Sequence, residues 1–210
     1  MNRILLCILA CLFSFASIAQ IIGTNSQPID DNRYKDVKGS PYLFDDWEAA
    51  TIYNKDGKAI EETQINYNAF EKAIEVKVNQ GYIELEGRDY PKVCLQKDSS
   101  CFRYNFHPKF KGRYALVHFQ GVDNRLFSMT NSRVNKRTVN NVGKTIVIQN
   151  FANVTTYYLQ RGASLKAIKL KRKEILNLFP DKKVSQFVKA NQLKLNTVEE
   201  VVRVLAFIEE

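Results

Sequence analysis

Histidine is scarce in this chain, with only His107 and His118 among 210 residues. There are four cysteines, and Cys7 and Cys11 fall within an apolar N-terminal run. No group of His and Cys has the spacing of a zinc site. No C-x-x-C marks a redox pair. Nine glycines are too thinly spread to build a phosphate-cradling G-x-x-x-x-G-K-[ST] loop. No G-x-S-x-G elbow presents a nucleophilic serine. The turn Asn54 to Lys58 lacks the acidic ligands of a calcium loop. These absences exclude the local motifs of metal, nucleotide and serine-hydrolase chemistry, and no cofactor is expected. Apolar runs are short as well. The longest, Ile4 to Phe15, falls below the ~20 residues that span a bilayer.

That run reads instead as the core of a secretory signal peptide over residues 1–19. Asn2 and Arg3 supply the weakly basic start, and Ser17 and Ala19 place small residues before cleavage between Ala19 and Gln20. Two alternatives use the same residues: an uncleaved anchor, or a lipoprotein acylated at Cys11 within Ile8-Leu9-Ala10-Cys11. Cleavage would leave an exported chain without a transmembrane span, either periplasmic or extracellular and associated with the outer membrane.

Positive charge is plentiful. The formal net charge is +9, and losing Arg3 with the signal leaves +8. In an exported protein, such a balance points to an anionic polysaccharide, lipid head groups or an acidic envelope protein, and away from nucleic acid. Aromatics are abundant too, with ten Tyr and thirteen Phe beside the single Trp47. Cys94 and Cys101 are the mature cysteines. They flank the turn-like Gln96 to Ser100 and lie on the non-core side of two short strands. An oxidising compartment makes a cross-strand disulfide the expectation.

Residues 20–38 are polar and aperiodic, which suggests a flexible arm. Gly39-Ser40-Pro41 opens a β-rich domain over 39–170, and the aromatics that follow, up to Trp47, are placed to pin the arm. Short strand patterns recur from Thr51 to Leu170. Asp56-Gly57 signals a hairpin. Ile74, Val76 and Val78 alternate inward against an outward Glu75, Lys77 and Asn79. Later strands are expected at 114–120, 126–130, 145–151, 156–160 and 165–170. The period changes near Lys171. Ile175, Leu176, Leu178 and Phe179 form one helical stripe, and Val184, Phe187 and Val188 form another after Asp181. Thr197-Val198-Glu199-Glu200 is a capping box before a final amphipathic helix. The fold class is α+β: an antiparallel meander sheet over about 51–170, capped by two or three helices within 171–210.

The order of these parts resembles a group of secreted bacterial cell-envelope proteins of uncharacterised activity. The resemblance lies in Gly39 to Trp47, Asp56-Gly57-Lys58, Tyr67-Asn68 to Val78, and Lys171 to Phe179 with Asp181-Lys182-Lys183. It implies export and this architecture, and no particular chemistry.

No catalytic set emerges. His107 before Pro108 and His118 within Leu116-Val117-His118-Phe119 both read as structural. Glu84 and Glu86 share a strand face as a glycosidase pair would, and equally as a solvated face would. The functional lead is basic: Lys169, Lys171, Arg172 and Lys173 at the strand-to-helix junction, and Arg133, Lys136 and Arg137 in an Asn-rich loop. Tyr157 is the aromatic candidate for stacking on a sugar. The resulting expectation is an exported envelope protein with a non-catalytic binding or assembly role. A hydrolase with a dispersed site acting on envelope material is the alternative.

Overall fold

The computed structural model describes residues 29–30, 32–79, 81–98, 100–141 and 144–210. The expected signal peptide, its cleavage point and Cys11 lie outside the described residues. Ten strands form one sheet: β1 (Glu48–Tyr53), β2 (Ala59–Asn68), β3 (Ala73–Val78), β4 (Gly81–Glu84), β5 (Lys92–Leu95), β6 (Cys101–Tyr104), β7 (Tyr114–Gln120), β8 (Asn124–Asn141), β9 (Lys144–Arg161) and β10 (Ser164–Ile168). Three helices follow: α1 (Arg172–Leu178), α2 (Lys182–Ala190) and α3 (Val198–Glu209). Among the described residues, no helix is long and apolar enough to cross a membrane.

The strand order is β10-β9-β8-β7-β6-β5-β1-β2-β3-β4, and every neighbouring pair is antiparallel. Two runs of consecutive strands, β1 to β4 and β5 to β10, therefore meet where β5 lies beside β1, with Ala50 opposite Leu95 and Tyr53 opposite Lys92. The expected Asp56-Gly57 turn joins β1 to β2. The Asn54 side-chain oxygen accepts from the amides of Asp56 and Lys58, and Gly57 takes the left-handed φ of +79° that the turn requires.

One face of the sheet carries two adjoining cores. Ile52, Ile65, Tyr67, Ile74, Val93 and Phe102 make the first, with Leu43 and Phe44 packed against it. Leu126, Leu159 and Ile168 make the second, against Ile175, Val188, Val201 and Leu205 of the helices. The opposite face of β7 and β8 presents Ala115, Val117, Phe127 and Met129 to Phe106 and Phe110. The helix starts follow their sequence signals. The Asp181 side chain accepts from the Lys183 amide, and Thr197 accepts from the Glu200 amide. The Glu200 carboxylate in turn accepts from the amides of Lys194 and Asn196.

Three expectations change. First, residues 32–38 are tied down rather than loose. Arg33 donates to Glu75 at 2.6 Å, Tyr34 packs edge-on to Phe70 and Phe151, and Lys38 bridges to Asn150. Second, Glu75 does project away from the apolar side of β3, but it is fully buried. The hydroxyl of Tyr42 and the amide of Asn68, both donating at 2.7 Å, join Arg33 in covering it. Third, the Asn-rich segment with Arg133, Lys136 and Arg137 is strand rather than loop. β8 and β9 each run 18 residues as one long hairpin. Its outer part carries exposed apolar side chains at the neighbouring positions Ile146 and Val147, so both of its faces meet solvent there. A ribbon that is wet on both faces needs no alternation, and that removes the usual strand signal.

Candidate functional site

The expected basic residues fall in two places, and at the first of them Lys166 of β10 joins them. Lys166, Lys171 and Lys173 line one depression of about 330 Å³ beside Glu174. Lys169 is exposed next to it. Arg172 has a structural task, since its guanidinium donates to the carbonyl of Leu193 and ties α1 to the segment before α3. On the ribbon, Arg133 lies opposite Ala152 and Arg137 opposite Ile148, on one face, while Lys136 lies opposite Gln149 on the other. The structure thus separates the trio that the sequence places together.

A broader signal runs along the chain itself. From Asn124 to Lys173 there are eleven Lys or Arg residues and no Asp or Glu. These residues are the strands β8, β9 and β10 and the start of α1, which are neighbours in space. The rest of the chain is slightly acidic in sum. Counting charges in windows along the sequence would have found this strip, whereas picking out short clusters finds only its ends.

The second feature was not anticipated. The apolar side of the sheet is covered from one side by the loop bearing Leu43 and Phe44, and from the other by α3. Between these covers lies a cleft of about 540 Å³. His118 and Ser128 line it, with Nε2 and Oγ 2.9 Å apart. The contact depends on a break in register between Val117 and Phe119, which sets His118 against the neighbouring strand where Leu116 pairs with Ser128. Ser128 is 4 % exposed. Burial pushes the His118 imidazole down to about 4, and the charges of Asp98 and Glu199 oppose that shift only in part. The ring is therefore neutral near pH 7. Tyr157 also lines the cleft, its ring 6.1 Å from that of His118. Tyr158 turns to the other face and stacks on Phe127.

The rim of the cleft carries Lys97, Asp98, Glu199 and Arg203, and three of these four are engaged. Lys97 pairs with Glu48 at 2.5 Å and lies 4.4 Å over the Phe44 ring. Asp98 accepts from the Ser100 hydroxyl at 2.6 Å. Arg203 donates to Asn191 at 3.0 Å. Lys97, Asp98 and Ser100 belong to the β5–β6 turn. That hairpin is closed by a disulfide between Cys94 and Cys101, which face each other in register with Cα atoms 4.0 Å apart.

A serine hydroxyl bonded to a neutral imidazole is the first half of a nucleophile relay. Here no carboxylate among the described residues hydrogen-bonds to His118, and Ser128 sits within a paired strand. Glu84 feels the charge of Glu86 only as a minor contribution. It pairs with Glu75 across β3 and β4, where burial first and the Glu75 charge second raise its carboxyl above the usual range. Glu86 closes the turn leading to Tyr90, accepting from the Arg88 amide through its side chain. His107 caps the short 3-10 turn Pro108–Phe110, accepting from the Lys109 amide. Among the described residues, no group of His, Cys, Asp and Glu is arranged to hold a metal ion. No family model, curated protein or solved structure matches this chain.

Proposed function

We propose that this is an exported cell-envelope protein with a binding or assembly role, and that the β8–β10 side of its sheet contacts an anionic envelope polymer. The observation that carries this reading is the acid-free strip from Asn124 to Lys173, with its eleven cationic side chains. A concentration of one sign on one side of a molecule sets up a field that steers and retains a polyanion. The strip is also long, because an 18-residue strand extends roughly 60 Å. A line of charges along such a ribbon suits a linear polyanion better than a compact anion. The reading of residues 1–19 as a signal peptide, and the resemblance to secreted envelope proteins, support the location. They also make an anionic polysaccharide the first choice over nucleic acid.

The test is binding of the mature chain, starting at Gln20, to polygalacturonate as the anionic glycan and to dextran as the neutral one. The expected outcome is saturable binding to polygalacturonate that weakens steadily as salt rises to about 0.15 M. Reversing the charge at Arg133, Arg137, Lys171 and Lys173 should weaken it about tenfold or more. Equal affinity for dextran, or binding that survives the reversal, overturns the reading. Vesicles rich in anionic lipid, run in parallel, show whether a head-group surface competes better than the glycan.

A further inference from the structure

We infer that the cleft between the Leu43–Phe44 loop and α3 is a second binding site, built for a small uncharged ligand that is mostly apolar and ends in a carbonyl or ester oxygen. The cleft shares β8 and β9 with the basic strip through Ser128, Thr155 and Tyr157, but none of the strip's cationic side chains lines it, and the two have opposite chemical demands.

The volume comes first. At about 540 Å³ the cleft falls in the range of sites that bury a small organic molecule. Its walls are apolar: Leu43, Phe44 and Leu116 on one side, Val198 and Val202 on the other. A ligand that fills it removes aliphatic and aromatic surface from water, which is the main favourable contribution available there.

Charge comes second. The molecule is strongly basic, yet the cleft is not. Its floor is made of His118, Ser128, Thr155 and Tyr157, all uncharged near pH 7. At the rim, Lys97 is paired with Glu48 and Asp98 accepts from Ser100, while the exposed Arg203, bonded to the neutral Asn191 amide, and Glu199 bring charges of opposite sign that leave the rim without a net charge to offer. An ionic ligand would give up its hydration for no counter-charge in the floor, whereas a neutral one loses little.

The polar end is assigned by the His118–Ser128 bond. If the serine hydroxyl donates to Nε2, the ring carries its proton on Nδ1, and that N–H is a donor. If Nε2–H donates to the serine oxygen, the serine hydroxyl is a donor. Either tautomer leaves one donor on the pair and matches an acceptor oxygen on the ligand. Of the other two hydroxyls on the floor, Thr155 is engaged with Thr130 at 2.9 Å, and the Tyr157 phenol is a further O–H donor suited to the same acceptor.

Having two histidines makes the test direct. The ring resonances of His118 in the cleft and His107 on the far face can be followed together by NMR while methyl octanoate is added, with octanoate as the charged control. Methyl octanoate should shift the His118 ring saturably and leave His107 unmoved. Octanoate should bind about tenfold more weakly, because only its head group differs. Val202→Phe, a partly buried wall residue, should abolish the His118 shift while the His107 signal stays at its native position. The inference is overturned if octanoate binds as well as its ester, if both histidines move together, or if Val202→Phe binds like the parent. The ester-versus-anion comparison uses the unaltered protein, so a poorly folded variant cannot obscure the result.

Discussion

His118 contributes to stability through the state it is held in. The folded chain keeps the ring neutral down to about pH 4, while the unfolded chain takes up a proton near the ordinary value of 6.5. The contribution is therefore complete above about pH 6.5, declines as pH falls from there to about 4, and changes no further below. The full difference is worth about 3 kcal/mol. His118→Gln should remove this part of the pH dependence. Between pH 7 and pH 4.5, urea unfolding of the parent should lose about 2–3 kcal/mol more than that of the variant. Equal losses would mean that the ring is solvated. Glu200 and Glu209 act in a lower window. Bonds from backbone amides to the first, and chiefly from the Asn124 side chain to the second, hold both carboxyls below their usual range. Their stabilisation is present above the ordinary carboxylate value and is lost only as pH falls through their folded values. At this scale, the sequence shows His118 in an apolar strand but not its partner. Partnership depends on the register break after Val117, which no local pattern encodes.

The β7–β8 turn shows how one element depends on another. The carboxylate of Glu209, near the end of α3, accepts from the amides of Val122 and Asn124 and from the Asn124 side chain, at 2.7–2.8 Å. Gly121 makes this close approach possible, because a Cβ there would lie 2.5 Å from the Glu209 carboxyl carbon. Gly121→Ala should therefore displace the carboxylate, leave the exposed to half-buried turn amides to water, and lower the melting temperature by about 2–4 °C. Glu209→Gln should also destabilise. The double variant should be no worse than the worse single variant, because both changes break the same interaction. Additive losses in thermal melts would refute the coupling. Legibility varies by element. The capping signals at Asp181 and Thr197 and the alternation in β3 identify their elements from sequence. β2 is harder to see, because Thr63 stands on its apolar side, and Asn66 and Asn68 on its other side are buried polar residues. The outer ribbon of β8 and β9 lacks a buried face to reveal it.

For the molecule as a whole, the junction of β5 with β1 makes two runs of strands into one sheet. The two cores on its apolar side share that continuous support. Unfolding should then appear as one transition, with circular dichroism and the His118 ring signal changing together in urea. The disulfide closes a hairpin next to this junction, and its reduction should lower stability by about 2–3 kcal/mol without splitting the transition. Two separated transitions would show that the halves are independent. The antiparallel, helix-ended architecture is readable from strand spacing and the change of period near Lys171. The β5–β1 pairing is not, because pairing between strands about 40 residues apart follows from how faces pack, not from any local signal.

The strap formed by Arg33, Tyr34 and Lys38 also bears on where the folding unit begins. The composition of the chain invites a cut at Gly39, where the punctuated β-rich region starts. Such a cut would discard Arg33, the cation paired with the fully buried Glu75 carboxylate, and Tyr34, which packs on Phe70 and Phe151. A buried charge stripped of its partner is among the more damaging losses a small protein can sustain. Fragments, fusions and affinity tags should accordingly join upstream of Asn32, because the stretch that looks like a disposable linker is the lid on an interior carboxylate.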